Sequence, residues 1–114
     1  MLKILKTDFV FTDERGNITQ LIHEGYSQIN VITSKGGVRR GGHYHKSNNE
    51  AFYIIEGELE IEVNGEKKVF SSGDFFGIEK NDMHSFYFIK DTILVSMYSD
   101  GVELSDGTKD IFTE

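Results

Sequence analysis

The sequence contains no cysteine, no proline and no tryptophan, and it has no apolar run long enough to span a bilayer. Without cysteine there are no disulfides, no thiolate metal sites and no thiol nucleophile, a composition that suits a reducing compartment. Positive charge is scarce as well. Twelve Lys and Arg stand against nineteen Asp and Glu, a formal net charge of −7. That balance excludes the basic field that a nucleic-acid or anionic-membrane surface requires, so neither is expected as a partner. The opening residues 1–11 are too short and too interrupted by charge to be a signal peptide or a spanning helix. The expectation is a cytoplasmic protein that binds a small molecule.

What remains is enough for one core. The 114 residues fit a single domain, and nine Phe and five Tyr supply much of its apolar bulk. No long helical period is present. Short runs rich in Val, Ile, Phe and Tyr alternate with clusters of Gly, Asn, Asp and Ser, the pattern of an all-β sandwich or barrel. The runs predict strands at Asp8–Phe11, Ile18–His23, Gln28–Thr33, Ala51–Glu56, Glu58–Val63, Lys67–Phe70, Phe75–Ile78, Ser85–Ile89 and Thr92–Tyr98. In Glu58-Leu59-Glu60-Ile61-Glu62-Val63 the carboxylates alternate with apolar residues, which puts the acidic ladder on the solvated face rather than at a site. Asn64-Gly65 after it is a two-residue hairpin signal. The polar tail, Asp100 to Glu114, is expected either to fray or to dock on a partner subunit.

Chemistry concentrates in two places. The first is Gly37 to Gly57, which contains His43, His45 and Glu50. Residues two apart on an extended strand share a face, so His43 and His45 present both imidazoles to one side, and a hairpin can bring Glu50 back beside them. The second runs from Gly73 to His84. The parity that turns His84 inward also turns Phe86 and Phe88 inward, so His84 is read as a buried histidine in need of a partner, and a metal is one such partner. His23 lies outside both segments and reads as a surface or packing residue. The three arginines, Arg15, Arg39 and Arg40, sit in loop-like segments beside glycines, open both to an anionic ligand and to an ordinary surface role.

These segments resemble the two cupin motifs. The first has the full spacing of glycine, five residues, His-x-His, four residues, Glu, six residues, glycine. The second keeps its glycine and histidine, with Glu79 and Asn81 where the family usually has proline and glycine. The resemblance covers roughly Ile18 to Tyr98. It implies a cupin double-stranded β-helix, a jelly-roll barrel, as a single domain over 1–114, with its core at about 18–98 and a tail at 100–114. It also implies that His43, His45, Glu50 and His84 bind one divalent transition metal: zinc, manganese, iron, nickel or cobalt. The alternative is a metal-free cupin using the same cluster as a buried hydrogen-bond network.

Asp13-Glu14-Arg15-Gly16 resembles the opening of RmlC-like cupins that act on nucleotide-linked sugars. Arg40-Gly41-Gly42-His43-Tyr44-His45-Lys46 is similar to WxcM-like sugar 3,4-ketoisomerases and to the C-terminal cupin of capsular polysaccharide reductase/epimerases. By that likeness Arg15 holds the diphosphate of a dTDP- or UDP-sugar and Arg40 lies beside the sugar, where its charge is expected to serve catalysis; Gln28 is expected as a further substrate contact. The implied function is an isomerase or epimerase of a nucleotide-linked keto-deoxysugar in polysaccharide biosynthesis. Glu50 replaces the glutamine of the ketoisomerases, and Ile29-Asn30-Val31 replaces their tyrosine-rich strand. The first difference favours a metal over a metal-free histidine pair. Such chemistry needs a general base, and strand parity turns Tyr44, Tyr53 and Tyr87 away, leaving Tyr26 and Gln28. The rival expectations are a non-catalytic small-molecule-binding cupin, or another metal cupin such as a dioxygenase or a phosphosugar isomerase. Under each of them a homodimer is expected, with Asp8–Phe11 adding to a partner's sheet.

Overall fold

Polar clusters cut the chain into short apolar runs, and most of those runs become strands. The computed structural model describes residues 2–23, 25–103 and 105–113, and among these it contains strands and turns but no helix. In chain order the strands are β1 (Leu2–Ile4), β2 (Phe9–Asp13), β3 (Gly16–Gln20), β4 (Gln28–Ser34), β5 (Arg39–His43), β6 (Glu50–Glu56), β7 (Glu58–Val63), β8 (Glu66–Ser71), β9 (Phe75–Ile78), β10 (His84–Phe88) and β11 (Thr92–Tyr98). Five of them pair in the order β1-β9-β6-β11-β4 and four in the order β5-β10-β7-β8, while β2 and β3 form a hairpin of their own. All pairings between these strands are antiparallel. The all-β, single-domain jelly roll expected from the sequence is what the chain forms. No helix long and apolar enough to cross a membrane occurs among the described residues.

Alternation builds the core. Phe52 and Ile54 of β6, Leu59, Ile61 and Val63 of β7, and Phe70, Phe76, Ile78, Phe88 and Leu94 form one buried cluster. Phe76 is its centre, with Phe70 stacked at 4.1 Å and Phe52 at 5.2 Å between ring centroids. Each such ring contributes about 2 kcal/mol or more through burial alone. Glu58, Glu60 and Glu62 take the other face of β7, only half-buried, as their parity requires. At the β7–β8 turn Asn64 and Gly65 have φ of 49° and 87°, the pair of positive values a tight hairpin demands.

Several expectations are corrected. Strands β1 and β5 were not read from the sequence. β5 is Arg-Arg-Gly-Gly-His, with no apolar residue to mark it, and it is a strand because its backbone pairs with β10. Arg39 and Arg40 therefore stand on a strand rather than in a loop. β3 stops at Gln20, short of His23, whereas β6 and β10 begin at Glu50 and His84, so both side chains are fixed within a sheet. The tail docks on its own barrel. Tyr44 and Phe112 exchange two backbone hydrogen bonds of 2.9 and 3.0 Å, and their rings lie 5.7 Å apart. Leu104 and Glu114 of that tail lie outside the described residues. Asp8–Phe11, expected as a strand that adds to a partner's sheet, lies largely in the first arm of the β2–β3 hairpin, with Phe11 opposite Ile18.

Candidate metal centre

The site begins with an irregularity in β5. Arg40 pairs with Phe86, Gly41 with Ser85, and His43 with His84, which leaves Gly42 as an extra residue in the ladder. A bulge of this kind counts two residues as one position. Arg40 and His43, three residues apart, would face opposite ways on a regular strand. Here both face the same cavity. Glycine is required at the bulge: Gly41 has φ of 105°, and a Cβ there would lie 2.9 Å from the Ser85 Cα and 3.0 Å from the His84 carbonyl oxygen.

His45 follows two residues later and is buried, as are Glu50 and His84. His45 Nδ1 donates to the Asp110 carbonyl at 2.5 Å, and His84 Nδ1 donates to the Asp82 carbonyl at 3.0 Å. With Nδ1 so committed, each ring presents Nε2 to the interior, the orientation a metal-binding imidazole needs. Glu50 Oε1 lies 2.7 Å from His45 Nε2 and 3.3 Å from His84 Nε2. The 2.7 Å contact lacks hydrogen-bond alignment, so His45 Nε2 and Glu50 Oε1 are buried polar atoms without a hydrogen-bonded partner. One donor nitrogen from each of His43, His45 and His84 falls within 4.8 Å of the other two. Bonds of about 2 Å to a divalent transition metal place neighbouring donors roughly 3 Å apart, so the three imidazoles suit such an ion by their chemistry and would draw together around it, with Glu50 Oε1 beside His45 and His84.

The electrostatics are those of a shared pocket. Burial, followed by the neighbouring His84 and His45, pushes the His43 imidazole down to about 4, so it is neutral with a free lone pair at pH 7. Burial works against protonation of His45 too, but Glu50 and the Asp110 carbonyl outweigh it and raise its pKa. Burial alone would raise the Glu50 carboxyl, whereas the two imidazoles beside it hold it down to about 2.

Above the cluster is a cavity of about 360 Å³ whose walls include Ile32, Phe52, Phe86, Phe88 and Leu94, with Arg40, His43, Glu50 and Tyr98 as polar groups. Its neighbour Arg39 points to the opposite face and stacks on the Tyr87 ring at 4.9 Å. Tyr98 went unnoticed in the sequence. It pairs with Glu50 across β11 and β6, and its ring packs edge-on against His45 at 5.4 Å. Burial, then the charge and hydrogen bonding of Glu50, raise its hydroxyl well above the ordinary tyrosine range. The inward parity of Leu94, Ser96 and Tyr98 was legible; the register that sets Tyr98 beside Glu50 was not.

Other sequence candidates lie elsewhere. Arg15 sits at the turn of the β2–β3 hairpin, paired with Asp13 at 2.5 Å, and lines a separate groove with Phe11 and Ile18. Gln28 accepts the Val102 N–H at 2.8 Å and so braces the tail. Tyr26 packs on a second apolar cluster with Ala51, Phe75 and Met97. His23 is an exposed neighbour of Asp8 at 2.5 Å.

Fold and site together define a small jelly-roll barrel with an inward-facing histidine cluster. The chain belongs to the cupin domain family, whose model matches residues 30–98. It is 34% identical over 61 residues to quercetin 2,3-dioxygenase of Bacillus subtilis, covering 52% of this chain and 18% of that protein. Over 47 residues it is 40% identical to UDP-2-acetamido-2,6-beta-L-arabino-hexul-4-ose reductase of Pseudomonas aeruginosa, covering 40% of this chain and 13% of that one. The chain thus spans less than a fifth of either relative. Its fold is similar to that of a 3,4-ketoisomerase from Helicobacter canadensis, with a TM-score of 0.82 at 22% identity over 99% of this chain and 90% of the other. It is also similar to a single-residue mutant of the 3,4-ketoisomerase QdtA from Thermoanaerobacterium thermosaccharolyticum, in complex with TDP-4-keto-6-deoxyglucose. There the TM-score is 0.71 at 16% identity, over 100% of this chain and 86% of the other.

Proposed function

We propose that this cupin holds one divalent transition metal through His43, His45, Glu50 and His84 and acts as an isomerase or epimerase on a nucleotide-linked keto-deoxysugar. The observation that carries the reading is the gathering of three imidazoles and a carboxylate at the base of a cavity that also receives Arg40 and Tyr98. When bound, such a metal supplies Lewis-acid polarisation of a ligand oxygen. Arg40 adds fixed positive charge where an enediolate oxygen would develop. Tyr98, kept protonated by burial and by Glu50, is placed to exchange a proton with a ligand in the cavity. Phe52, Phe86 and Phe88 supply an apolar wall for the deoxygenated face of a sugar. The names of the similar proteins, a ketoisomerase in complex with TDP-4-keto-6-deoxyglucose and a UDP-hexul-4-ose reductase, support this substrate class.

Arg15 is the proposed diphosphate contact, since its exposed guanidinium lines a groove at the hairpin turn, where a phosphate would take the place of Asp13 as its partner. The hairpin that carries it exposes Phe9, Val10, Phe11 and Ile18, each at least half accessible. That much unpartnered apolar surface on one small hairpin fits burial against a second copy of the chain, as a homodimer. A second reading rests on His43: neutral and facing the cavity, it offers a free lone pair to a ligand proton in a metal-free protein.

The test is incubation with dTDP-4-keto-6-deoxyglucose in D2O, with metal content measured on the same sample and deuterium incorporation next to the carbonyl followed by NMR. Exchange by metal-loaded protein that drops at least a hundredfold in Tyr98→Phe, with ligand binding retained, supports the proposal. Exchange that persists after metal removal favours the His43 reading. Binding without exchange makes the protein a non-catalytic carrier, and absence of binding to both this sugar and its UDP-linked counterpart rejects the sugar-nucleotide class.

A further inference from the structure

Between His45 and Glu50, residues 46–48 are held by the tail rather than by a strand partner, while Asn49 is held by Ser99 and Lys80. Asp110, only 1% exposed, is the knot. Its carboxylate accepts the backbone N–H groups of Lys46 and Ser47 at 2.8 and 2.9 Å, and the Asn48 side-chain amide at 2.8 Å. Asn48, equally buried, closes the clamp from the other side: its amide donates to the Gly101 carbonyl, and its oxygen accepts the Asp100 and Gly101 N–H groups. The Asp110 N–H in turn donates to the Val102 carbonyl at 2.8 Å. A buried carboxylate whose hydrogen bonds all come from neutral N–H groups of one short segment is a costly way to tie down an ordinary loop. What the loop carries explains it. The same residue's carbonyl receives His45 Nδ1–H.

We propose that Asp110 is a positioning residue for the metal centre, its carbonyl fixing the proton of His45 on Nδ1 and its carboxylate holding the ligand loop in register. The inference rests on the metal reading above. An imidazole with Nδ1–H committed to a carbonyl offers only Nε2 to an ion; released, it can carry its proton on Nε2 instead, next to Glu50, where the proton competes with metal.

The experiment compares wild type, Asp110→Asn and Lys109→Ala, the last in the same tail but outside the clamp. Competition of zinc against a chelator should show Asp110→Asn weakened about ten- to hundredfold and Lys109→Ala unchanged. Above the raised pKa of His45, where its ring is neutral, the 15N shifts of metal-free protein should place its proton on Nδ1 in wild type and partly on Nε2 in Asp110→Asn, whose weakened clamp lets the residue-110 carbonyl move away from the ring. Unchanged zinc affinity and unchanged 15N shifts, with only a lower melting temperature, would reduce Asp110 to a structural residue and overturn the proposal. If wild type takes up no zinc, the metal reading fails on its own, and the His45 shifts still decide the positioning role. Should Asp110→Asn not fold, a wild-type His45 that is neutral with its proton on Nε2 refutes the inference.

Discussion

Replacing Glu50 by glutamine tests the centre most directly, because the change keeps the side chain's shape and removes its charge. Structural four-donor zinc sites bind with about 10–16 kcal/mol, or roughly 3 kcal/mol per donor, and each 1.4 kcal/mol is about a factor of ten. A glutamine oxygen still points inward, so the loss should approach a hundredfold in affinity without abolishing binding. The metal-free protein offers an independent check. The folded pKa of Glu50 is about 2, below its ordinary 4.5, so its contribution to stability is complete above pH 4.5 and is lost as pH falls towards 2. A depression of that size corresponds to at most about 3 kcal/mol. His45 has the opposite sign. Its raised pKa gives stability below its ordinary 6.5 that disappears as pH rises through the raised value. Glu50→Gln should therefore flatten both the acid limb and the neutral limb of the curve. Metal content by mass spectrometry, chelator competition, and urea midpoints from pH 2 to 8 make the measurement. Wild-type affinity in the variant, or an acid limb that coincides with wild type, would refute the assignment of Glu50 as a charged ligand at the heart of the cluster.

Two further outcomes follow from the backbone and the surface. Gly41→Ala meets Ser85 and His84 at 2.9 and 3.0 Å, whereas a Cβ at Gly42 meets nothing within 4 Å. The first substitution should cost about 2–3 kcal/mol and weaken metal binding, and the second about 1 kcal/mol of backbone strain; equal urea midpoints for the two would contradict the bulge argument. Phe11→Asp should shift the protein from dimer to monomer in light scattering while leaving the far-ultraviolet circular dichroism unchanged, and a wild-type monomer would dismiss the hairpin as an interface.

Where strands are regular, reading the sequence by parity was sufficient. His84 shares its face with Phe86 and Phe88 because β10 alternates without interruption, and Glu58, Glu60 and Glu62 lie outside the core for the same reason. Parity could not reach three things. β5 has no apolar residue, so nothing local announces a strand, and its bulge breaks the counting that would have placed Arg40. Tyr98 meets Glu50 only through the register of β11 on β6, which the sequence of neither strand specifies alone. Asp110 reaches His45 across sixty-five residues, from a tail whose polarity reads as solvent exposure. In each case the deciding contact is made by backbone atoms or by a strand far away in the chain, and side-chain pattern carries no record of it.

The bulge at Gly42 also determines where this barrel can change length. Between Arg40 and His43 the chain holds one residue more than the sheet has positions, so deletion of Gly42 would leave Gly41 opposite Ser85 and His43 opposite His84, with both inward side chains still inward. Deletion of Tyr44, two residues on, would turn His45 out of the barrel and dismantle the centre. A one-residue deletion in this strand is therefore tolerated immediately before the first histidine, while the interval from that histidine to the next must keep its count.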